Sequence, residues 1–297
     1  MKYETYTRYD PARVALAESG FLTVWAGLGS WHDDLVLIGG LVPKYLCGDL
    51  TASRDLPRPV TLDTDLGIGL NASNGQYGSL HMDLQAQGFR LSTDDFGGPR
   101  FVKTVNDFDI LVDFLAEGPP ATSGTVIVDD IPANVLPGVN RALATARRVQ
   151  VAGIDLFGAT QHFTARVCEV GPFLSMKLRA FARRQQPKDA FDILYTLLHY
   201  DKGPHSAVAA FAEEVRLNNP ACPDALRCLE HEFGSEDAPA PVKAAHFVLG
   251  QTNPGEHPDL RTRRLQIQQD MVDAGKLLRA ALPAPAAGPS AAPPPPI

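Results

Sequence analysis

Short apolar runs punctuated by glycine, proline and acids mark the first 120 positions of the chain, and helically spaced apolar positions mark it from Phe173 onward. The periodicity predicts a helix from Pro11 to about Ser30, with Gly20 as its weak point. Leu35–Ile38 is continuously apolar and reads as a buried strand ending at Gly39-Gly40. A short helix follows from Leu41 to Cys47, stopping near Gly48, then a polar loop from Thr51 to Pro59. Residues Val60–Leu70 alternate and predict a second strand, followed by a loop over Asn71–Tyr77 and a helix over Gly78–Gln87. Phe89–Ser92 and Arg100–Val105 predict paired strands around the turn Asp94–Pro99. Phe108–Leu115 and Thr125–Asp129 predict two more. Helices are expected over Phe173–Arg184 and Pro187–Tyr200, with Pro187 separating them. Others are expected over 204–216, 222–233, 239–249 and 258–281.

These elements predict an α+β protein. An α/β domain with a mixed sheet and flanking helices spans 1–125, and a mainly helical domain spans 126–281 and completes the cleft. A Pro/Ala-rich tail covers 282–297, where disorder or polyproline-like structure is expected. The 297 residues are 44% hydrophobic and 21% charged, which suits a soluble globular chain. No apolar run approaches a membrane span and Met1–Thr5 lacks a signal-peptide core, so no membrane partner and a cytoplasmic location are expected. The four cysteines lack zinc-like spacing and read as reduced structural thiols.

Net charge is −7, which disfavours indiscriminate attraction to nucleic acid. Yet residues 141–189 carry nine Lys or Arg against three acids, a local excess that suits either a solvated helix face or a phosphate site.

Candidate chemistry centres on Asp63 and Asp65. Residues i and i+2 of a strand share a face, so the two carboxylates stand side by side and can hold Mg²⁺. Acids are depleted in strands, and paired carboxylates repel unless a cation or proton intervenes. The turn at Gly39 and Gly40 is placed to offer backbone N–H groups to phosphates. Asp113 is a third carboxylate in a neighbouring strand, where it would complete a site that clamps attacking and leaving oxygens. Asp109 lies four residues earlier on the same face, so parity alone does not separate the two. The segment Lys177–Asp192 adds several cations on helices, suited to binding a triphosphate as point charges.

The order Gly39-Gly40, Thr61-x-Asp63-x-Asp65, Asp113, then Lys177 through Arg184-x-x-x-Lys188-Asp189-x-x-Asp192 resembles the polymerase-β-like nucleotidyltransferases. Within them it is most similar to the AbiEii/MenT group, the toxin halves of bacterial toxin–antitoxin and phage-defence pairs. The likeness spans about residues 40–200. It implies that Asp63 and Asp65 hold Mg²⁺ and that Asp113 is a third ligand or the base. It also implies that Gly39, Gly40, Lys177, Arg184 and Lys188 contact the nucleotide, with Asp192 in the motif of the helical half. Leu41 stands where many members of the superfamily carry Ser. The implied reaction moves an NMP from an NTP to an acceptor hydroxyl, with RNA (tRNA) as the expected acceptor and a cognate antitoxin as a further partner. An acceptor RNA would lie in a basic groove near Arg147, Arg148, Arg179 and Arg183. Two other readings share the motif: transfer to a small molecule, as in aminoglycoside nucleotidyltransferases, and a catalytically silent NTP-binding module.

Overall fold

The computed structural model describes residues 3–47, 56–70, 79–93, 98–119, 123–128, 130–253 and 255–282. The expected loop over 71–77 lies outside the described residues, as do most of the loop over 51–59, residues 94–97 of the turn at 94–99 and nearly all of the tail.

Helix α1 covers Pro11–Gly27. Pro11 sits in its first turn, and the Asp10 carboxylate accepts from the N–H groups of Ala12 and Arg13. Gly20 does not interrupt it. A Cβ there would lie 2.5 Å from Ile110 Cγ2, so this glycine lets the helix close onto the sheet rather than weakening it. Strand β1, Leu35–Ile38, is followed by a 3-10 turn over Gly39–Leu41 and α2, Val42–Leu46. Next come β2 (Asp63–Ile68, shorter than the alternation suggests), α3 (Leu80–Ala86), β3 (Arg90–Ser92), β4 (Arg100–Val105) and β5 (Phe108–Ala116). The chain continues through β6 (Thr125–Val128), β7 (Ile131–Val135), α4 (Val139–Ala144), β8 (Arg147–Ile154) and β9 (Thr160–Val167). Helices α5 (Val170–Arg184), α6 (Pro187–His199), α7 (Pro204–Arg216), α8 (Cys222–Glu232), α9 (Pro239–Leu249) and α10 (Pro258–Ala280) complete it.

Among the described residues the sheet is mixed and nine-stranded, in the order β3-β4-β5-β2-β1-β9-β8, with the β6–β7 hairpin joined to the end of β5 through β7. Antiparallel β1 and β2 lie at its centre, β2 runs parallel to β5, and β1 runs parallel to β9. Strands therefore continue past residue 125. Residues 126–281 are mainly helical, but β7, β8 and β9 of this stretch belong to the sheet, and the purely helical part begins at Val170.

One apolar core runs through sheet and helices, from Phe21 and Trp25 on α1 through Phe114 on β5 to Phe191 and Phe247. The last two rings lie 4.9 Å apart. Pro187 occupies the first turn of α6, as its stiffness predicts, and Gln185 in the left-handed region (φ 46°) turns the chain between α5 and α6. Among the described residues no helix is long and apolar enough to cross a membrane.

Candidate active site

Strand periodicity builds the acidic cluster. Thr64 is buried and its hydroxyl points to α1, donating to the Ala17 carbonyl at 3.3 Å. Asp63 and Asp65 therefore leave the opposite face of β2. Parallel pairing then sets Asp65 directly opposite Asp113 and Asp63 opposite Leu111. One carboxylate oxygen from each of Asp63, Asp65 and Asp113 lies within 4.8 Å of the others. Asp109 shares parity with Asp113 but sits near the hairpin end, opposite Thr104, whose hydroxyl it accepts at 2.7 Å. Thr61, itself buried, donates its hydroxyl to Asp63 Oδ1.

The glycine turn is shaped around this cluster. The β1–β2 register pairs Ile38 with Asp65, so the turn that follows β1 passes over the Asp65 carboxylate. Gly39 has φ +74°, and a Cβ there would lie 1.8 Å from Asp65 Oδ2. Both facts require glycine. A Cβ on Gly40 would lie 2.6 Å from Thr61 Oγ1 and 3.1 Å from Lys188 Nζ.

Helices α5 and α6 contribute a second charged group, almost fully buried. Asp192 Oδ2 accepts from two ammonium groups, Lys177 Nζ at 2.7 Å and Lys188 Nζ at 2.6 Å. Asp189 Oδ1 accepts from Lys177 Nζ at 3.1 Å. Asp189 also takes the fork of Arg184, with Nε on Oδ2 at 2.6 Å and Nη2 on Oδ1 at 2.9 Å. Burial pushes the Lys177 ammonium down, but Asp192 and Asp189 outweigh it and hold it above the ordinary lysine range. Arg184 behaves alike: burial lowers it, Asp189 raises it more, and Asp65 and Asp63 add to the rise.

A single cleft joins the two groups. Gly39, Asp65, Lys177 and Arg184 line it, with an apolar wall from Leu115, Leu136, Phe173 and Met176. The nine positions singled out by sequence thus gather in one place. They divide into residues on the cleft and residues behind it. Lys188, Asp189 and Asp192 are buried: Asp192 accepts from Lys177 and Lys188, and Asp189 accepts from Lys177 and Arg184.

The expected basic groove is largely consumed by ion pairs. Arg147 meets Glu169 at 2.6 Å, Arg148 meets Asp33 at 3.6 Å, and Arg179 and Arg183 both meet Asp224, at 3.2 and 3.3 Å. Arg141 forks onto Glu214, and Arg166 donates to the backbone carbonyls of Asp33, Leu35 and Leu143.

Two neighbours of the site went unread in the sequence. Arg100 on β4 lies 3.3 Å from Asp113, Nε to Oδ1. Tyr9 is buried, which raises its phenol, and Asp192 and Asp63 raise it further against Lys177. The signal for Arg100 was the two-residue turn Asn106-Asp107, both residues at positive φ. It pairs Val105 with Phe108 and Phe101 with Val112, so the next positions outward are Arg100 and Asp113. No such local pattern marks Tyr9.

The all-oxygen donor set suits a hard cation. Magnesium–oxygen bonds of about 2.1 Å place neighbouring ligands roughly 3 Å apart, a closure within reach of side-chain rotation from the observed spacing. The chain matches no protein-family model, and no curated protein matches its sequence.

Proposed function

We propose that the protein is a Mg²⁺-dependent nucleotidyltransferase that moves an NMP from an NTP to an acceptor hydroxyl. The observation that carries this reading is the in-register triad Asp63, Asp65 and Asp113, of which Asp65 lines a cleft that also presents Lys177 and Arg184. Asp63, Asp65 and Asp113 are the residues suited to hold the ion. When bound, it supplies neutralisation of the charge that develops on the transferring phosphate and the leaving pyrophosphate.

The chain's own groups do the rest. Asp189 engages Nε and Nη2 of Arg184, leaving Nη1 as a donor for phosphate oxygens. Lys177, held protonated, adds a fixed positive charge beside it. The acceptor oxygen attacks the α-phosphorus, the bond to pyrophosphate breaks in line, and the acceptor proton leaves to a carboxylate of the triad. Catalysis of this kind is mostly positioning and charge neutralisation.

On the resemblance, the acceptor is RNA, tRNA above all, and the biological role is that of a toxin-like or phage-defence protein with a cognate antitoxin. A second reading, a small-molecule acceptor, gains from the pairing of Arg147, Arg148, Arg179 and Arg183 with acids, which leaves less free positive charge for an RNA backbone. Transfer of α-labelled nucleotide from each of the four NTPs to bulk tRNA, with Mg²⁺ and with Asp63→Ala alongside, tests both. Label on RNA with the wild type alone supports the first reading. Pyrophosphate release without labelled RNA, given a small acceptor, supports the second. Neither label nor pyrophosphate with any acceptor returns the chain to a silent binding module.

A further inference from the structure

We infer that Arg100 is a positioning residue that holds Asp113 in place of the metal and competes with it, so that Arg100 sets the affinity of the triad for divalent cations. This rests on the metal reading above and concerns a residue outside the triad.

Because β4 and β5 are joined by the two-residue turn at Asn106-Asp107, Arg100 emerges opposite Asp113, and β2 presents Asp65 on the other side of β5. Asp113 thus stands between a carboxylate and a guanidinium. A metal ion held by the triad would draw on the same Asp113 carboxylate as its ion pair with Arg100.

The geometry of the pair suits displacement. The closest approach, Nε to Oδ1 at 3.3 Å, is longer than either contact of the Arg184 fork on Asp189, at 2.6 and 2.9 Å. Both side chains keep some contact with solvent, 18% for Arg100 and 12% for Asp113, but Asp113 Oδ1 itself is buried, so the guanidinium can turn outward only as the ion takes over its charge. The root of the arginine is fixed meanwhile. Asn134 Nδ2 donates to the Pro99 carbonyl at 3.4 Å, and a Cβ on Gly98 would lie 2.4 Å from Asn134 Oδ1. The side chain can move while its attachment stays put.

Removing the charge should act in two opposite directions. Without metal, the triad loses a cation that offsets its repulsion and becomes less stable. With metal, the ion no longer has a competitor and binds more tightly. A merely structural role for Arg100 would weaken both states and could not tighten binding.

The experiment is titration of the full chain with Mg²⁺ by calorimetry, and with Mn²⁺ by electron paramagnetic resonance, for wild type, Arg100→Gln and Arg100→Lys, with no nucleotide present. The expected result is a dissociation constant about tenfold lower for Arg100→Gln, since one repelling charge close to a dication is removed. Arg100→Lys, which keeps the charge, should stay near wild type. Melting in chelator should place Arg100→Gln below wild type, and saturating Mg²⁺ should close that gap. Wild-type binding with equal or weaker binding by Arg100→Gln would overturn the role of Arg100 and leave the metal site standing. Absence of binding by wild type would overturn the metal site and this inference together.

Discussion

The carboxylates of β2 and β5 and the charges of α5 and α6 meet at one cleft, yet different forces assemble them. The triad is three like charges brought together by backbone register, against their mutual repulsion. At 4.8 Å that repulsion is about 3 kcal/mol for each pair at an effective dielectric constant near 20. The helical group consists of Lys177, Arg184 and Lys188 interleaved with Asp189 and Asp192, and it assembles by attraction. The first set therefore suits a cation from outside, as the proposed function requires. The second pairs three cations with two carboxylates and so fixes where Lys177 and Arg184 stand. Removing a carboxylate should harm activity in the first set and stability in the second.

Several measurements would break or sharpen that contrast. Asp65→Ala is predicted to lower nucleotide transfer on the order of 10⁴-fold, about 5 kcal/mol in the transition state, while the urea midpoint stays level or rises. Transfer at the wild-type rate would remove Asp65 from the chemistry. Asp192→Ala is predicted to cost about 3–5 kcal/mol of folding stability, since it strips the shared carboxylate from two buried ammonium groups. If chemical denaturation found the two variants equally stable, the contrast would fail. Gly39→Ala should cost about 1–3 kcal/mol for the left-handed backbone and, by pushing Asp65 aside, weaken Mg²⁺ binding, as melts with and without Mg²⁺ would show.

The raised Lys177 predicts a direction with pH. A folded value above the unfolded one gives stability that is complete below about pH 10.4 and is lost as pH rises through the folded value. Unfolding free energies should thus carry no change from this residue between pH 6 and 9, and by pH 11 the lysine's contribution should have fallen by about 1 kcal/mol. A change traced to Lys177 within pH 6–9 would contradict its raised value. Arg183→Ala, at an exposed pair with Asp224, should shift stability by less than about 1 kcal/mol. A larger loss there would mean that the surface cations, too, belong to a structural network.

Much of this was legible in residues read one at a time. Leu35–Ile38 and Arg100–Val105 fold as their patterns predict, because local alternation and apolar runs dictate strands directly. Asp63 and Asp65 stood out because strands disfavour acids. What stayed hidden depended on partners. Strands β8 and β9 were missed because polarity does not mark their faces: in β8 the inward positions Val149, Val151 and Gly153 alternate with outward Arg148, Gln150, Ala152 and Ile154, two of them apolar. The excess of cations over 141–189 counted charges without knowing that Asp224, Glu214 and Asp33 lay opposite them. Asp113 was favoured over Asp109 by context, and only the β2–β5 register separates them.

The same register fixes when the site comes into existence during folding. Asp65 and Asp113 sit on parallel strands with α3, β3 and β4 between them in the chain, so a long crossover must close before they align. The closing step brings like charges together, whereas β4 and β5 zip locally through a two-residue turn and carry Arg100 to Asp113 first. The guanidinium thus reaches the carboxylate before its acidic neighbour does. A divalent ion added to a refolding chain should then have little to grip early and should speed only the final, non-local pairing. Refolding rates, with and without Mg²⁺, thereby become a clock for the assembly of the cleft.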